Sequence, residues 1–224
     1  MRFTTVLFDL DGTLMDTSPG IFASVRHALS AIGWPQSNQE KLNLFVGPPL
    51  KDCFRLACDM TDDEVIMQAA AIYREKYNEA GPPGSSPYPG MTEVLETLRS
   101  EGILLGVATL KPEPLAHEVL RYNGIEHYFD YIAGADFDGA KTKAMIIETC
   151  MDALGVSAEE TVMVGDTPHD LEGARIARVP LIAVDWGFGF VRGYEGREDG
   201  VMAVARAASD IIPILNGSTG QSRP

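Results

Sequence analysis

Positive charge is scarce in this chain. Eighteen lysines and arginines stand against 32 aspartates and glutamates, for a formal net charge of −14 and a pI near 4.6. No basic stripe interrupts that excess, which argues against a nucleic-acid polymer as partner. An acidic surface is likewise repelled by anionic membranes. It also repels a phosphorylated substrate at long range, so a phosphate site would need local positive charge from a metal or a lysine. Cysteine is rarer still. Cys53, Cys58 and Cys150 have no metal-ligand spacing, and an odd number of them reads as free thiols in a reducing compartment. Cys53 and Cys58 are expected to pack within a helix. Long apolar runs are missing: the longest, around Ile103 to Leu110, is far too short to span a bilayer. The first residues lead into a strand without the cationic and apolar regions of a secretion signal. These absences together predict a soluble cytoplasmic protein that binds no membrane. Internal repeats and low-complexity tracts are absent as well.

What is present is an ordinary globular composition, 45% hydrophobic and 8% aromatic over 224 residues, enough for a sizeable core. Short apolar runs at Thr4–Leu10, Ile103–Thr109, Phe129–Ala133, Thr161–Gly165 and Leu181–Asp185 read as buried strands. Helical patterns at Thr92–Glu101, Pro112–Asn123, Thr142–Leu154 and Pro168–Arg178 alternate with them. Such alternation predicts an α/β fold, a doubly wound (Rossmann-like) parallel sheet with helices on both faces. Ligands of such sheets sit at the carboxyl ends of the strands. Residues 16–81 break the rhythm. They offer helices near Ser18–Ile32, Pro48–Met60 and Asp62–Glu79, with Thr61 as an N-cap three residues before Glu64, and no strand. The turn-rich stretch Gly81–Pro87 reads as a linker. The expected organisation is an α/β core from 1–15 and 82–217, a helical insertion at 16–81 beside the sheet's ligand edge, and a frayed tail at 218–224. The two crossings, near Asp16 and near Gly81–Pro89, could act as hinges.

Chemistry is concentrated at the strand ends. Asp9-Leu10-Asp11-Gly12-Thr13 follows the apolar run Val6–Phe8. Residues i and i+2 of an extended backbone point the same way, so Asp9 and Asp11 can face one small volume, and Gly12 lets the chain turn sharply. The pair suits a carboxylate nucleophile beside a proton-moving carboxylate, with a divalent cation between them. The same pentad is also simply good turn chemistry. Thr109 closes a strand and could donate to a phosphate oxygen, or merely cap the next helix. A lysine near a helix start, Lys141 or Lys143, could hold phosphate as a point charge, or be solvated. Val164-Gly165-Asp166 ends another strand, and Asp170 follows four residues on. Asp166 suits Mg²⁺, which takes carboxylate oxygens, with Asp170 supporting it from behind. Both also suit an N-cap. His169 reads as a surface residue.

The order of these motifs resembles the haloacid dehalogenase-like hydrolase superfamily across nearly the whole chain. The resemblance implies a Mg²⁺ cofactor and a small-molecule phosphate ester as substrate. It implies that Asp9 attacks phosphorus to form an aspartyl-phosphate and that Asp11 shuttles the proton. Asp9, the Asp11 carbonyl and Asp166 would hold Mg²⁺; Thr109, the Leu110 amide and the lysine would hold the phosphoryl oxygens. This chain reads Asp138-Gly139-Ala140-Lys141-Thr142-Lys143-Ala144, one residue shorter than the D-G-T-R-x-x-K-A spacing common in the family. Lys143 is aligned in preference to Lys141. The insertion resembles the C1 cap of the phosphoglycolate phosphatase and β-phosphoglucomutase branch. Gly47-Pro48-Pro49-Leu50 and Trp186-Gly187-Phe188-Gly189 are similar to segments of phosphoglycolate phosphatase-like and 5′-nucleotidase-like members. Gly47, Lys51 and Arg55 are then candidates for substrate specificity, the last two sharing a helix face. A phosphomutase, or a non-catalytic binding protein on this fold, are the alternatives.

Overall fold

β1 (Thr5–Phe8) is buried along its whole length, as a strand covered on both faces must be. Its side chains alternate between two cores. Val6 and Phe8 enter one hydrophobic cluster and Leu7 the other, each contributing about 1.5–3 kcal/mol of burial free energy. Residues 3–137, 139–190 and 192–217 are described by the structure, a computed structural model. The expected tail at 218–224 lies outside them.

Along the chain follow β2 (Met15–Asp16), α1 (Ser18–Ala31), α2 (Gln39–Asn43), α3 (Leu50–Cys58), α4 (Asp63–Ala80), β3 (Ser86–Pro87), α5 (Met91–Ser100), β4 (Leu104–Pro112), α6 (Glu113–Tyr122), β5 (Tyr131–Ala135), α7 (Lys143–Leu154), β6 (Thr161–Gly165), α8 (Pro168–Ile176), β7 (Leu181–Val184), β8 (Val201–Ala205) and α9 (Ile211–Leu215). Six strands form one parallel sheet in the order β5-β4-β1-β6-β7-β8. This is the doubly wound α/β architecture that the alternation of patterns predicts. β1 stands between β4 and β6, where the winding reverses direction, and its carboxyl end therefore opens into the crevice that such sheets use for ligands. Phe8 is in register with Val107 and Val164. Asp9 and Asp166, just past their strands, and Thr109, still paired with Gly134 in β4, consequently gather at one edge of the sheet.

The helices of residues 16–81 carry a hydrophobic cluster of their own, built on Ile21, Val25, Leu29, Phe54, Ile66 and Tyr77. Among the described residues, Leu115 and Phe188 are the partly buried hydrophobics that lean onto it from the sheet side. The two crossings lie side by side. β2 pairs antiparallel with β3, and the Gly20 amide donates to the Gly84 carbonyl at 3.1 Å. A Cβ on Gly84 would meet the Gly20 backbone at 2.6 Å, so the close approach depends on glycine.

Several elements differ from the sequence reading. The ribbon β2–β3 replaces a plain linker; two residues per strand carry no legible periodicity. α2 is a five-residue helix capped by Asn38, whose side chain accepts from the Lys41 amide. α4 is capped by Asp62 rather than Thr61: the Asp62 side chain accepts from the Glu64 and Val65 amides at 2.8 and 3.4 Å. β5 begins at Tyr131 because Glu126–Tyr128 forms a tight 3₁₀ turn first. β8 is an added sixth strand at the sheet edge. Its half-exposed side chains give it no continuous apolar run. The three cysteines are free and buried, and among the described residues no helix is long and apolar enough to cross a membrane.

Candidate active site

Asp9 sits just past β1, its amide still donating to the Val164 carbonyl at 2.9 Å, and only 5% of it is exposed. Lys143 is the first residue of α7, which Thr142 caps by accepting from the Met145 amide. That placement aims Lys143 at the sheet edge. Its Nζ lies 2.5 Å from Asp9 Oδ1 and 2.6 Å from Asp170 Oδ1. Lys141 instead donates to the Gly134 carbonyl at 3.4 Å, so the lysine brought to Asp9 is Lys143.

Asp166 follows β6 and is fully buried. Its Oδ1 accepts from the Thr13 hydroxyl at 3.0 Å and its Oδ2 from the Phe188 amide at 2.8 Å. Gly12, at φ +90°, turns the chain directly over this carboxylate; a Cβ there would collide with it. Any L side chain is strained at that φ as well. The Trp186–Gly189 segment thus has a local task. Phe188 holds Asp166, and the Trp186 indole donates to the Thr13 carbonyl at 3.2 Å. Asp170 accepts at Oδ2 from both the amide and hydroxyl of Thr167, completing a capping box in which Thr167 is the N-cap of α8, while its other oxygen faces Lys143. Carboxylate oxygens of Asp9, Asp166 and Asp170 lie within 4.8 Å of one another. Asp170 is therefore in the cluster itself, closer to the centre than a supporting role from behind requires.

The Asp11 side chain turns elsewhere. It accepts the Thr17 hydroxyl at 2.6 Å and both carboxylate oxygens stand 3.0 Å from Lys111 Nζ. Lys111 is buried, and its ammonium lies 4.6 Å from the ring centre of Tyr77 on α4. Sequence reasoning missed Lys111. The signal was available: it stands two residues after Thr109, the same i, i+2 spacing that singled out Asp9 and Asp11. Thr109 Oγ1 accepts from the Lys111 amide at 3.1 Å, as a turn residue would, and its own proton is free to go elsewhere. The β4–β5 register slips between Thr109 and Pro112. Such bulges release backbone groups from the ladder and re-aim side chains near active sites; here they free Leu110 and Lys111.

Between this edge and the helices of residues 16–81 lies a cavity of about 260 Å³, lined by Asp11, Leu110 and Lys111 on one side. Gly47, Lys51 and Arg55 line the other, with Gly47 at φ +104°. Arg55 is already engaged by Asp63 at 2.7 Å and Asp52 at 3.3 Å; Lys51 is not.

Burial pushes the Asp9 carboxyl up to about 7; Lys143 opposes the rise, and Asp170 and Asp11 add to it. Burial, then Asp170 and Asp9, hold the Asp166 carboxyl well above its ordinary range. Burial pulls the Lys143 ammonium down, but Asp170 and Asp9 outweigh it and leave it above its usual value. Three clustered carboxylates thus face one ammonium. With all three ionised, two negative charges would be left over, which a single divalent cation would neutralise, and an all-oxygen donor set suits Mg²⁺. The residues fit the metal.

The fold and this edge define a hydrolase class, and the chain belongs to the haloacid dehalogenase-like hydrolase family, whose sequence model matches residues 6–184. It is 40% identical over 185 residues to the tyrosine-protein kinase PtkA of Mycobacterium tuberculosis, a match covering 82% of this chain and 62% of that protein. It is 38% identical over 190 residues to a 5′-nucleotidase of Pseudomonas aeruginosa, covering 84% and 86% of the two chains. The crystal structure of a predicted phosphatase from Clostridium acetobutylicum superposes with a TM-score of 0.87 at 32% identity, over 96% of this chain and 100% of that one.

Proposed function

We propose that the chain is a Mg²⁺-dependent phosphatase, which hydrolyses a small-molecule phosphate monoester through an aspartyl-phosphate on Asp9. The observation that carries this reading is the meeting of a lysine-held Asp9 with Asp166 and Asp170 at one sheet edge. Phosphoryl transfer asks a protein for positioning and charge neutralisation more than for covalent chemistry, and this edge is built of those two things. Hydrolysis is also the activity named for the Pseudomonas relative.

Asp9 attacks phosphorus as the bond to the leaving oxygen breaks, and Asp11 gives that oxygen its proton. A water molecule then attacks the phosphorus, loses its proton to Asp11, and frees Asp9 and inorganic phosphate. Lys143 fixes the attacking carboxylate. Lys143, the Thr109 hydroxyl and the Leu110 amide donate to the phosphoryl oxygens. Asp9, Asp166 and the Asp11 carbonyl, with Asp170 alongside, would hold Mg²⁺, which would supply positive charge to the transferring group. Residues 16–81 act as a cap over the cavity, hinged at the paired crossings.

p-Nitrophenyl phosphate turnover with and without Mg²⁺ tests the reading. Release of inorganic phosphate is expected only with the metal, and failure across a panel of phosphate esters would count decisively against a phosphatase. The metal also leaves a trace that does not depend on turnover. Neutralising the carboxylate cluster should raise Tm by roughly 5–10 °C at a Mg²⁺ concentration near 100 times Kd, equivalent to about 2.7 kcal/mol. Asp166→Asn should abolish the shift in a thermal melt; an undiminished shift would place the ion elsewhere.

A further inference from the structure

Asp11 is held from both of the crossings that join residues 16–81 to the sheet. Thr17, just past the first crossing, donates its hydroxyl at 2.6 Å. The second crossing acts through Lys111. That ammonium stands 3.0 Å from both Asp11 oxygens. It also lies 4.6 Å from the ring centre of Tyr77, near the end of α4, a distance that suits a cation–π contact.

Tyr77 is fixed by its surroundings and is only 1% exposed. The Tyr73 ring stacks on it, with 5.6 Å between centres, and the Gly81 amide donates to its carbonyl at 2.7 Å. A Cβ on Gly81 would collide with the phenol at Cζ, 2.5 Å away. The second crossing therefore passes directly over the hydroxyl end of the ring. Yet among the described residues the hydroxyl makes no regular hydrogen bond, and a buried polar group without one is costly. Phenylalanine would pack this place as well without that cost. Burial raises the phenol above its ordinary range, and Lys111 is the group that most opposes the rise. The hydroxyl thus keeps its proton and turns an oxygen toward an ammonium that can only donate.

We propose that Tyr77 is a positioning residue for protonation of the leaving group: its hydroxyl holds the Lys111 ammonium, and Lys111 in turn aims the Asp11 carboxyl. This rests on the phosphatase reading above and extends it to a residue of α4. Both Asp11 oxygens face Lys111 in this structure. To serve the leaving group, Asp11 turns one of them away, and Lys111 loses an acceptor at a buried place. The Tyr77 oxygen replaces that acceptor. Without it, Lys111 competes for the same Asp11 oxygen that the leaving group needs, because an unpaired buried donor is costly.

Two esters of similar shape but different leaving groups supply the test. p-Nitrophenyl phosphate releases a weakly basic phenolate that departs without a proton. p-Nitrobenzyl phosphate releases an alkoxide that needs one. Phosphate release in Mg²⁺ gives kcat/KM for each, which reports the steps up to departure of the leaving group and not the later attack of water. Tyr77→Phe keeps the ring and its packing and removes only the hydroxyl. It is expected to lower kcat/KM about 10-fold for the benzyl ester, the low end for a hydrogen bond to a charged group, and less than about 2-fold for the phenyl ester. Lys111→Met should deepen the same bias to about 100-fold, the low end of general acid catalysis. No change in Tyr77→Phe, or an equal loss on both esters, would show that Tyr77 only packs its helix. A bias in Tyr77→Phe that Lys111→Met does not share would take Lys111 out of the path. Either result overturns the inference and leaves the phosphatase standing. If the wild-type protein hydrolyses neither ester, the phosphatase reading falls and this inference with it.

Discussion

Asp9→Asn is expected to abolish turnover while the protein still folds. The amide is the same size as the carboxylate but offers no oxygen nucleophile toward phosphorus, and losing a covalent nucleophile costs on the order of 10⁴- to 10⁶-fold in kcat. The fold has little to lose. Asp9 is a buried carboxyl that burial already pushes up to about 7, so its charged form is held at a cost. Lys143 keeps Asp170 as partner. Steady-state kinetics on p-nitrophenyl phosphate, with a thermal melt in metal-free buffer, separates the two effects. Near-normal activity would remove Asp9 from the nucleophile's role, and a collapse in Tm would show its importance to be structural.

Lys143→Ala should do damage of both kinds. Among the described residues its ammonium is the one cation paired with these three buried carboxylates, and breaking a buried ion pair from one side costs about 3–5 kcal/mol because the remaining charge is stranded. Tm should fall accordingly, and Mg²⁺ should restore part of the loss by supplying positive charge to the same oxygens. Turnover should drop about 10²- to 10³-fold, the range seen when one donor to a developing oxyanion is removed. Lys141→Ala is the comparison. Among the described residues that side chain hydrogen-bonds a backbone carbonyl and not Asp9, so its effect on p-nitrophenyl phosphate hydrolysis should be the smaller. A larger loss at 141 would reverse the assignment of the motif lysine.

Much of this edge could be read before any coordinates. β1, β6 and β7 are unbroken apolar runs, and a run buried on both faces announces itself. Asp9 and Asp166 stand where those runs stop. Lys143 was one of two candidates that spacing could rank but not separate, since choosing needed the direction of the first turn of α7. Other parts were hidden for physical reasons. Lys111 looks like any lysine after a strand until Asp11, a hundred positions earlier, is folded against it. Asp170 completes a capping box with Thr167, a local role that conceals its second oxygen. The ribbon β2–β3 is too short for any period to show, and β8, half exposed, lacks the apolar run that marks its neighbours.

The distance along the chain between Asp9 and its partners has a consequence in time. The lysine that holds Asp9 comes 134 residues later in the chain, and the aspartate bound by Thr13 comes 153 after that threonine. Until β4 has emerged β1 has no partner in the sheet, and until β6 follows it has one on a single side; contacts of such long reach form slowly. A growing chain therefore carries Asp9 as an ordinary hydrated aspartate until Lys143 has emerged and folded against it. Reactivity arrives late and all at once, and nascent fragments ending before residue 166 should neither retain the metal nor turn over substrate.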